Sequence, residues 1–172
     1  MMTVEVGAIE RVEGGRLAEL YERHAPEATR LAYLLTGSRA QAEDLVQDAF
    51  VRLAGRFLDL RDPEGFGHYL RRTVVNLSNS WYRRRKVERV YLEREGGRRA
   101  DTPVEPFDPA ERDALWRGLQ KLNPKQRAAI VLRFYQDLSE EQTADAMGIP
   151  RGTVKSLVSR GLQQMREQIE GE

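Results

Sequence analysis

Apolar residues along this chain recur at three- and four-residue steps, the spacing that lines one face of a helix, and nowhere do they alternate as in a half-buried strand. Leu17, Leu20, Tyr21, His24, Ala28, Leu31 and Leu35 form the first stripe. Gly37 is expected to stop it, because glycine takes the left-handed conformation that ends helices at little cost. Ser38 and Gln41 then have capping-box spacing, and Ala42, Leu45, Val46, Ala49, Phe50 and Leu53 predict a second helix to about Phe57. Asp62-Pro63 marks a third start, an acidic cap before a proline whose missing N–H costs nothing there. Phe66, Leu70, Thr73, Val74, Leu77 and Trp81 carry that third helix into a run of arginines.

The pattern then lapses. Gly96-Gly97, Pro103, Pro106 and Pro109 interrupt any periodicity, so residues 90–107 read as a linker. Beyond it Leu115, Trp116, Leu119 and Leu122 share a side of a helix over 110–122. Asn123-Pro124 with Gln126 caps the next, whose core is expected to include Ile130, Val131 and Phe134. Ser139 to Gln142 is another capping box, Gly148 ends that short helix, and Pro150-Arg151 opens a last one. The expected fold is all-α: two small helical domains joined by a flexible linker. The boundaries are an extension over 1–15, a first domain over 16–89, the linker, and a second, four-helix domain over 108–170. The extension is expected to be poorly ordered.

Composition narrows the function by exclusion. The chain has 172 residues, 32% of them charged, and no cysteine, which removes disulfides, thiolate nucleophiles and cysteine zinc sites together. No apolar run approaches the roughly 20 residues that span a bilayer, and no basic start precedes an apolar block, so membrane insertion is not expected and a cytoplasmic location is. His24 and His68 stand apart with no triad or metal spacing around them, and His24 falls on an apolar stripe. No enzyme, metal site or cofactor is expected. The formal net charge is only +1, yet the charges are segregated. Arg83, Arg84, Arg85, Lys86, Arg89, Arg94, Arg98 and Arg99 are followed by Asp101, Glu105, Asp108, Glu111 and Asp113.

Three constellations could carry function. The last two helices, joined by a tight turn at Met147-Gly148-Ile149, have the grammar of a helix-turn-helix. Val154, Leu157, Val158, Leu162 and Met165 make the inward stripe of its second helix, leaving Arg151, Thr153, Lys155, Ser156, Ser159 and Arg160 to face outward. Hydroxyls donate to phosphate, and arginine reads guanine with two bonds. On the third helix, Asn76, Asn79, Trp81, Tyr82 and Arg83 to Arg85 combine amides, aromatic planes and cations, the chemistry that holds unpaired bases and their backbone. On the second, Asp44, Gln47 and Asp48 share one face beside the buried stripe. A packed helical hairpin and solvated charged faces would account for the same spacings.

The residues Leu122 to Arg127, Leu138 to Ala144 and Gly148 to Ser156 resemble the promoter-binding C-terminal domain of the extracytoplasmic-function sigma factors of bacterial RNA polymerase, in particular the actinobacterial SigE-like group. Ala42 to Leu53 looks like that family's polymerase-binding helix, and Tyr69 to Leu77 leading into Trp81 to Arg85 looks like its promoter-melting helix. Three matches in order, covering most of 16–168, are far more specific than any alone. The resemblance implies that Asp44, Gln47 and Asp48 dock on the coiled coil of the polymerase's largest subunit. It implies that Arg72, Asn76, Asn79, Arg83, Arg84 and Arg85 take the minus-ten element as it opens. Arg151, Thr153, Lys155, Ser156, Ser159 and Arg160 would take the duplex minus-35 element. It further implies core polymerase and promoter DNA as partners, with an anti-sigma factor as an expected third.

This chain departs from many relatives at Ser80, where they are acidic, at Thr143, where they are apolar, and at Leu157, where they carry arginine. The first bears on minus-ten preference; the last removes a common phosphate contact that Arg160, one turn later, is placed to replace. Two other readings stay open on sequence. A self-sufficient helix-turn-helix regulator would bind palindromic duplex DNA alone, with half-sites about one helical turn apart. A helical adaptor would be indifferent to neutralising Arg83 to Arg85.

Overall fold

The computed structural model of the chain describes residues 3–57, 65–94 and 114–170, which are helical throughout apart from the turns between helices. Helix α1 spans Thr3–Thr36, α2 Arg39–Phe57, α3 Gly65–Arg94, α4 Ala114–Lys121, α5 Pro124–Ile130, α6 Glu140–Met147 and α7 Arg151–Glu170. Helices α1 to α3 pack against one another, and α4 to α6 pack around α7. Ala32, Ala42, Ala49, Phe66, Val74 and Val75 are wholly buried where the first three helices meet. Alanines at those positions let helix backbones approach closely around the Phe66 ring, and truncating that ring would cost about 3–5 kcal/mol.

The caps form much as the sequence predicts. Gly37 takes the left-handed conformation (φ 72°), and its N–H closes on the Tyr33 carbonyl at 2.7 Å. Asn123 with Gln126 and Ser139 with Gln142 are complete reciprocal boxes, and Gly148 ends α6 with φ 65°. Ser38 makes only half of its box: its hydroxyl accepts from the Gln41 N–H at 3.3 Å, while its own N–H donates to the Thr36 hydroxyl.

Several expectations are corrected. Helix α1 begins at Thr3, not near Leu17, and so runs through the segment expected to be poorly ordered. Gly14 and Gly15 cost about 1 kcal/mol each in a helix, which weakens it without ending it. Helix α3 continues to Arg94, past the linker boundary set at residue 90. Phe134, expected in the core, is 60% exposed. The chain widens into a π-helical turn over Val131–Tyr135, in which the Gln136 N–H reaches back five residues to Val131, and the extra residue per turn rotates Phe134 off the stripe. On α7 Leu162 faces solvent, and Gly161 takes the inner position instead. A Cβ at residue 161 would stand 2.6 Å from Ile130 Cδ1, so the missing side chain is what lets α7 seat against α5. Asp62, Pro63, Gly96, Gly97, Leu115, the prolines at 103, 106 and 109, and the acidic run over 101–113 lie outside the described residues or side chains.

The buried residues of the two helix groups form one continuous cluster. Tyr33 of α1, fully buried, stacks on Trp116 of α4 with ring centres 5.0 Å apart. Among the described residues, no helix is long and apolar enough to cross a membrane.

Candidate functional site

Helix α2 buries Leu45, Val46, Ala49 and Phe50 and so turns Asp44 and Gln47 outward as exposed residues. Asp48, with its side chain 46% exposed, lies on the same face and is bridged by Arg52 at 3.2 Å. The face is acidic yet partly neutralised by its own helix.

Helix α3 is buried along Phe66, Leu70, Val74, Leu77 and Ser78, which leaves Arg72, Asn76, Arg83 and Arg84 exposed and Asn79 and Arg85 half-buried. Trp81 is half-buried rather than a core residue. The Arg85 guanidinium lies 4.8 Å from its ring centre, and Tyr82 meets its edge at 4.7 Å. Arg83 donates to the Ser80 hydroxyl at 3.1 Å.

Helix α7 presents Arg151, Thr153, Lys155, Ser156, Ser159 and Arg160 outward, all exposed, because Val154 is fully buried against the domain and Met165 nearly so. Arg151 is held by Glu140 of α6 at 3.0 Å. Leu157 is half-buried and packs against the core.

The structure also joins residues that sequence did not connect. Arg127 of α5 is 5% exposed and spends all five of its N–H groups. Its Nε donates to the Leu119 carbonyl at 3.1 Å, and one terminal nitrogen donates to Gln120 at 2.6 Å and Leu122 at 3.0 Å. The other crosses to the first helix group, donating to the Leu35 carbonyl at 2.9 Å and to the Tyr82 hydroxyl. Tyr82 in turn donates to the Leu35 carbonyl at 2.8 Å. Burial pushes the Tyr82 phenol up from its ordinary range, with the guanidinium beside it pulling back, and burial lowers Arg127. Periodicity offered no signal for the crossing, because Leu35 and Tyr82 lie 92 and 45 positions away in the chain.

A second junction lies farther along α3. The Asp145 carboxylate of α6 takes His68 at 2.9 Å and Arg72 at 3.5 Å, and Arg71 donates to Gln136 at 3.1 Å. Between them a cleft of about 330 Å³ is lined by His24, Glu27, His68, Arg71, Gln136 and Gln142. His24 packs on Phe66 with ring centres 5.3 Å apart, and burial, then Arg23, lowers its pKa while Glu27 raises it. Among the described residues no three His, Cys, Asp or Glu side chains are grouped to hold a metal ion.

Comparison with known proteins matches residues 20–88 to sigma-70 region 2 and residues 118–167 to sigma-70 region 4. Over 153 residues the chain is 39% identical to the RNA polymerase sigma-E factor of Streptomyces avermitilis, covering 88% of this chain and 84% of that one. It is 33% identical over 160 residues to the ECF RNA polymerase sigma factor SigM of Mycobacterium tuberculosis, covering 87% of this chain and 76% of the relative. Among solved structures, sigma factor RpoE in complex with the anti-sigma factor NepR, from Bartonella quintana, superposes with a TM-score of 0.70 at 23% identity. That match covers 89% of this chain and 96% of that one. At that identity the likeness is one of fold.

Proposed function

The chain belongs to the extracytoplasmic-function sigma factors of RNA polymerase, and from that membership we propose which of its surfaces does which part of the work. The face of Asp44, Gln47 and Asp48 on α2 docks on the basic coiled coil of the polymerase's largest subunit. Arg72, Asn76, Asn79, Arg83, Arg84 and Arg85 of α3 hold the minus-ten element as its strands part. Arg151, Thr153, Lys155, Ser156, Ser159 and Arg160 of α7 read the duplex minus-35 element. The protein works in the cytoplasm and catalyses nothing itself; bond formation belongs to the polymerase. An anti-sigma factor is its expected inhibitor, as NepR is the anti-sigma factor bound to RpoE in the Bartonella complex.

The observation that carries this reading is the separation of chemistry by helix: exposed carboxylates on α2, amides, aromatics and cations on α3, hydroxyls and cations on α7. Each suits a different partner surface. Duplex binding by α7 draws on phosphate contacts and base edges in the major groove. Capture by α3 draws on stacking and backbone charge. Two weak contacts held on one polymerase act at high effective concentration, so neither needs to be strong.

Asp48→Arg tests the docking face. Loss of Asp48 also frees Arg52, so the substitution turns an acidic patch basic while leaving the core untouched. Affinity for core polymerase should fall by at least about tenfold with unchanged circular dichroism, since like charges at an interface cost several kcal/mol. Unchanged affinity would remove α2 from the interface.

A further inference from the structure

The cleft beside α1, α3 and α6 carries chemistry that the surfaces assigned above do not use. Its floor is apolar, with Ala28 and Leu31 of α1 and Leu70 of α3 all buried. Its polar walls are committed in one direction. Gln136, just past the π turn, has spent its carbonyl oxygen on the Arg71 Nε–H at 3.1 Å. Gln142 has spent its own on the Ser139 N–H at 2.9 Å, half of the box that caps α6. A protein donor thus fixes which end of each amide is oxygen, and each NH2 group is left with no partner among the described residues. The terminal nitrogens of Arg71 add further N–H donors in the same state.

The same cleft holds one carboxylate. Glu27, exposed on α1, lines it and makes no ion pair among the described residues. Neither histidine there adds a free cation. Burial, then Arg23, lowers the pKa of His24 against a smaller pull from Glu27, so that ring is neutral at pH 7, and His68 is turned to Asp145. An anion alone would satisfy Arg71 and the amides but be repelled by Glu27, and a cation alone would do the reverse. A zwitterion with an apolar body answers all three features. Its carboxylate takes the forked guanidinium and the amide N–H groups, its ammonium takes Glu27, and its side chain lies on the floor. Volume sets the size. At about 330 Å³ the cleft falls at the small end of ligand pockets, which run from about 300 to 1,000 Å³, so it suits an amino acid and not a nucleotide.

We propose that this cleft is a binding site for a small zwitterion of the α-amino acid class, its carboxylate held by Arg71, Gln136 and Gln142 and its ammonium by Glu27. The inference goes beyond the promoter reading and does not depend on it, because none of these four side chains belongs to the surfaces assigned to polymerase or DNA. The site gives the chain a small-molecule input. An occupant that binds only the folded chain also stabilises it by mass action, so the thermal midpoint rises with ligand concentration.

The test is an NMR titration of the isotope-labelled full chain with alanine, valine, leucine, methionine and phenylalanine, read at the Gly67 N–H and the side-chain NH2 groups of Gln136 and Gln142, all in the cleft wall. At least one of the five should give saturable shifts there. The same molecule without its amino group, or without its carboxyl group, should bind at least about tenfold more weakly, since each loses a charge-assisted contact and leaves a protein charge unanswered. Gln142→Glu keeps the α6 cap, because glutamate closes a capping box as glutamine does, but sets an acceptor where the donor stood. Affinity in that variant should fall at least about tenfold with the helical content unchanged. Glu27→Gln, at an exposed position, should remove the preference for the amino acid over its deaminated form. No saturable shift from any of the five, or an unchanged affinity in folded Gln142→Glu, overturns the site. Equal affinity for the deaminated form in the unsubstituted chain overturns the zwitterion.

Discussion

Thr143 shows how one side chain can sit against its surroundings. It is fully buried and its hydroxyl has no hydrogen-bond partner among the described residues. A buried hydroxyl without a partner costs about 1–3 kcal/mol. Thr143→Val keeps the shape and removes the orphaned group, so urea unfolding should show stability raised by about 1 kcal/mol; a loss would mean the hydroxyl is satisfied. His24 gives a pH signature. Its folded pKa lies below 6.5, so between the two values the unfolded chain binds more protons and stability falls as the solution is acidified. That contribution is complete above about pH 6.5 and is lost as pH falls towards the folded value. Denaturation at pH 5 and pH 7.5 should show a smaller pH difference in His24→Gln than in the parent chain, and an equal difference would place the acid sensitivity elsewhere. The packing of His24 was legible in its place on an apolar stripe. The burial of Arg127 was not, because nothing local to a capped helix says that a cation three residues past a proline will meet a carbonyl 92 positions away.

Helices were legible where short polar signals mark their ends. Asn123 with Gln126, Ser139 with Gln142, Gly37 and Gly148 each act within four residues, so a linear reading captures them. What escaped it depends on neighbours in space. The π turn at Val131–Tyr135 displaces Phe134, and Gly161 replaces Leu162 on the inner face of α7 because Ile130 leaves no room for a side chain. On α7 Val154 and Met165 are buried and Arg151, Thr153, Lys155, Ser156, Ser159 and Arg160 are exposed, with Leu162, expected inward, exposed beside them. The prediction for this face is electrostatic. Lys155→Ala should lower the slope of log affinity for minus-35 duplex against log salt by about one, since each phosphate contact releases about 0.9 counterion. Arg151→Ala should lower it less, because Glu140 already holds that guanidinium. Equal and unchanged slopes would turn this face away from DNA.

At the scale of the molecule, the family and the all-helical class were readable from three ordered motifs. The joining of the two domains into one buried cluster was not. Periodicity predicts which face a helix buries, but it does not say against which partner. A linker-spanning contact such as Tyr33 on Trp116 leaves no periodic trace, since both residues look like ordinary core positions of their own domains. Surface chemistry and family membership meet in one assignment, that this chain directs RNA polymerase to promoters through two spaced elements. The measurement that tests it most directly is run-off transcription from a genomic promoter pool with core RNA polymerase, with and without the purified protein. Discrete new transcripts whose templates share two spaced upstream elements are the predicted result. No new transcripts, together with tight binding of the protein alone to palindromic duplex DNA, would contradict that assignment and identify a self-sufficient regulator.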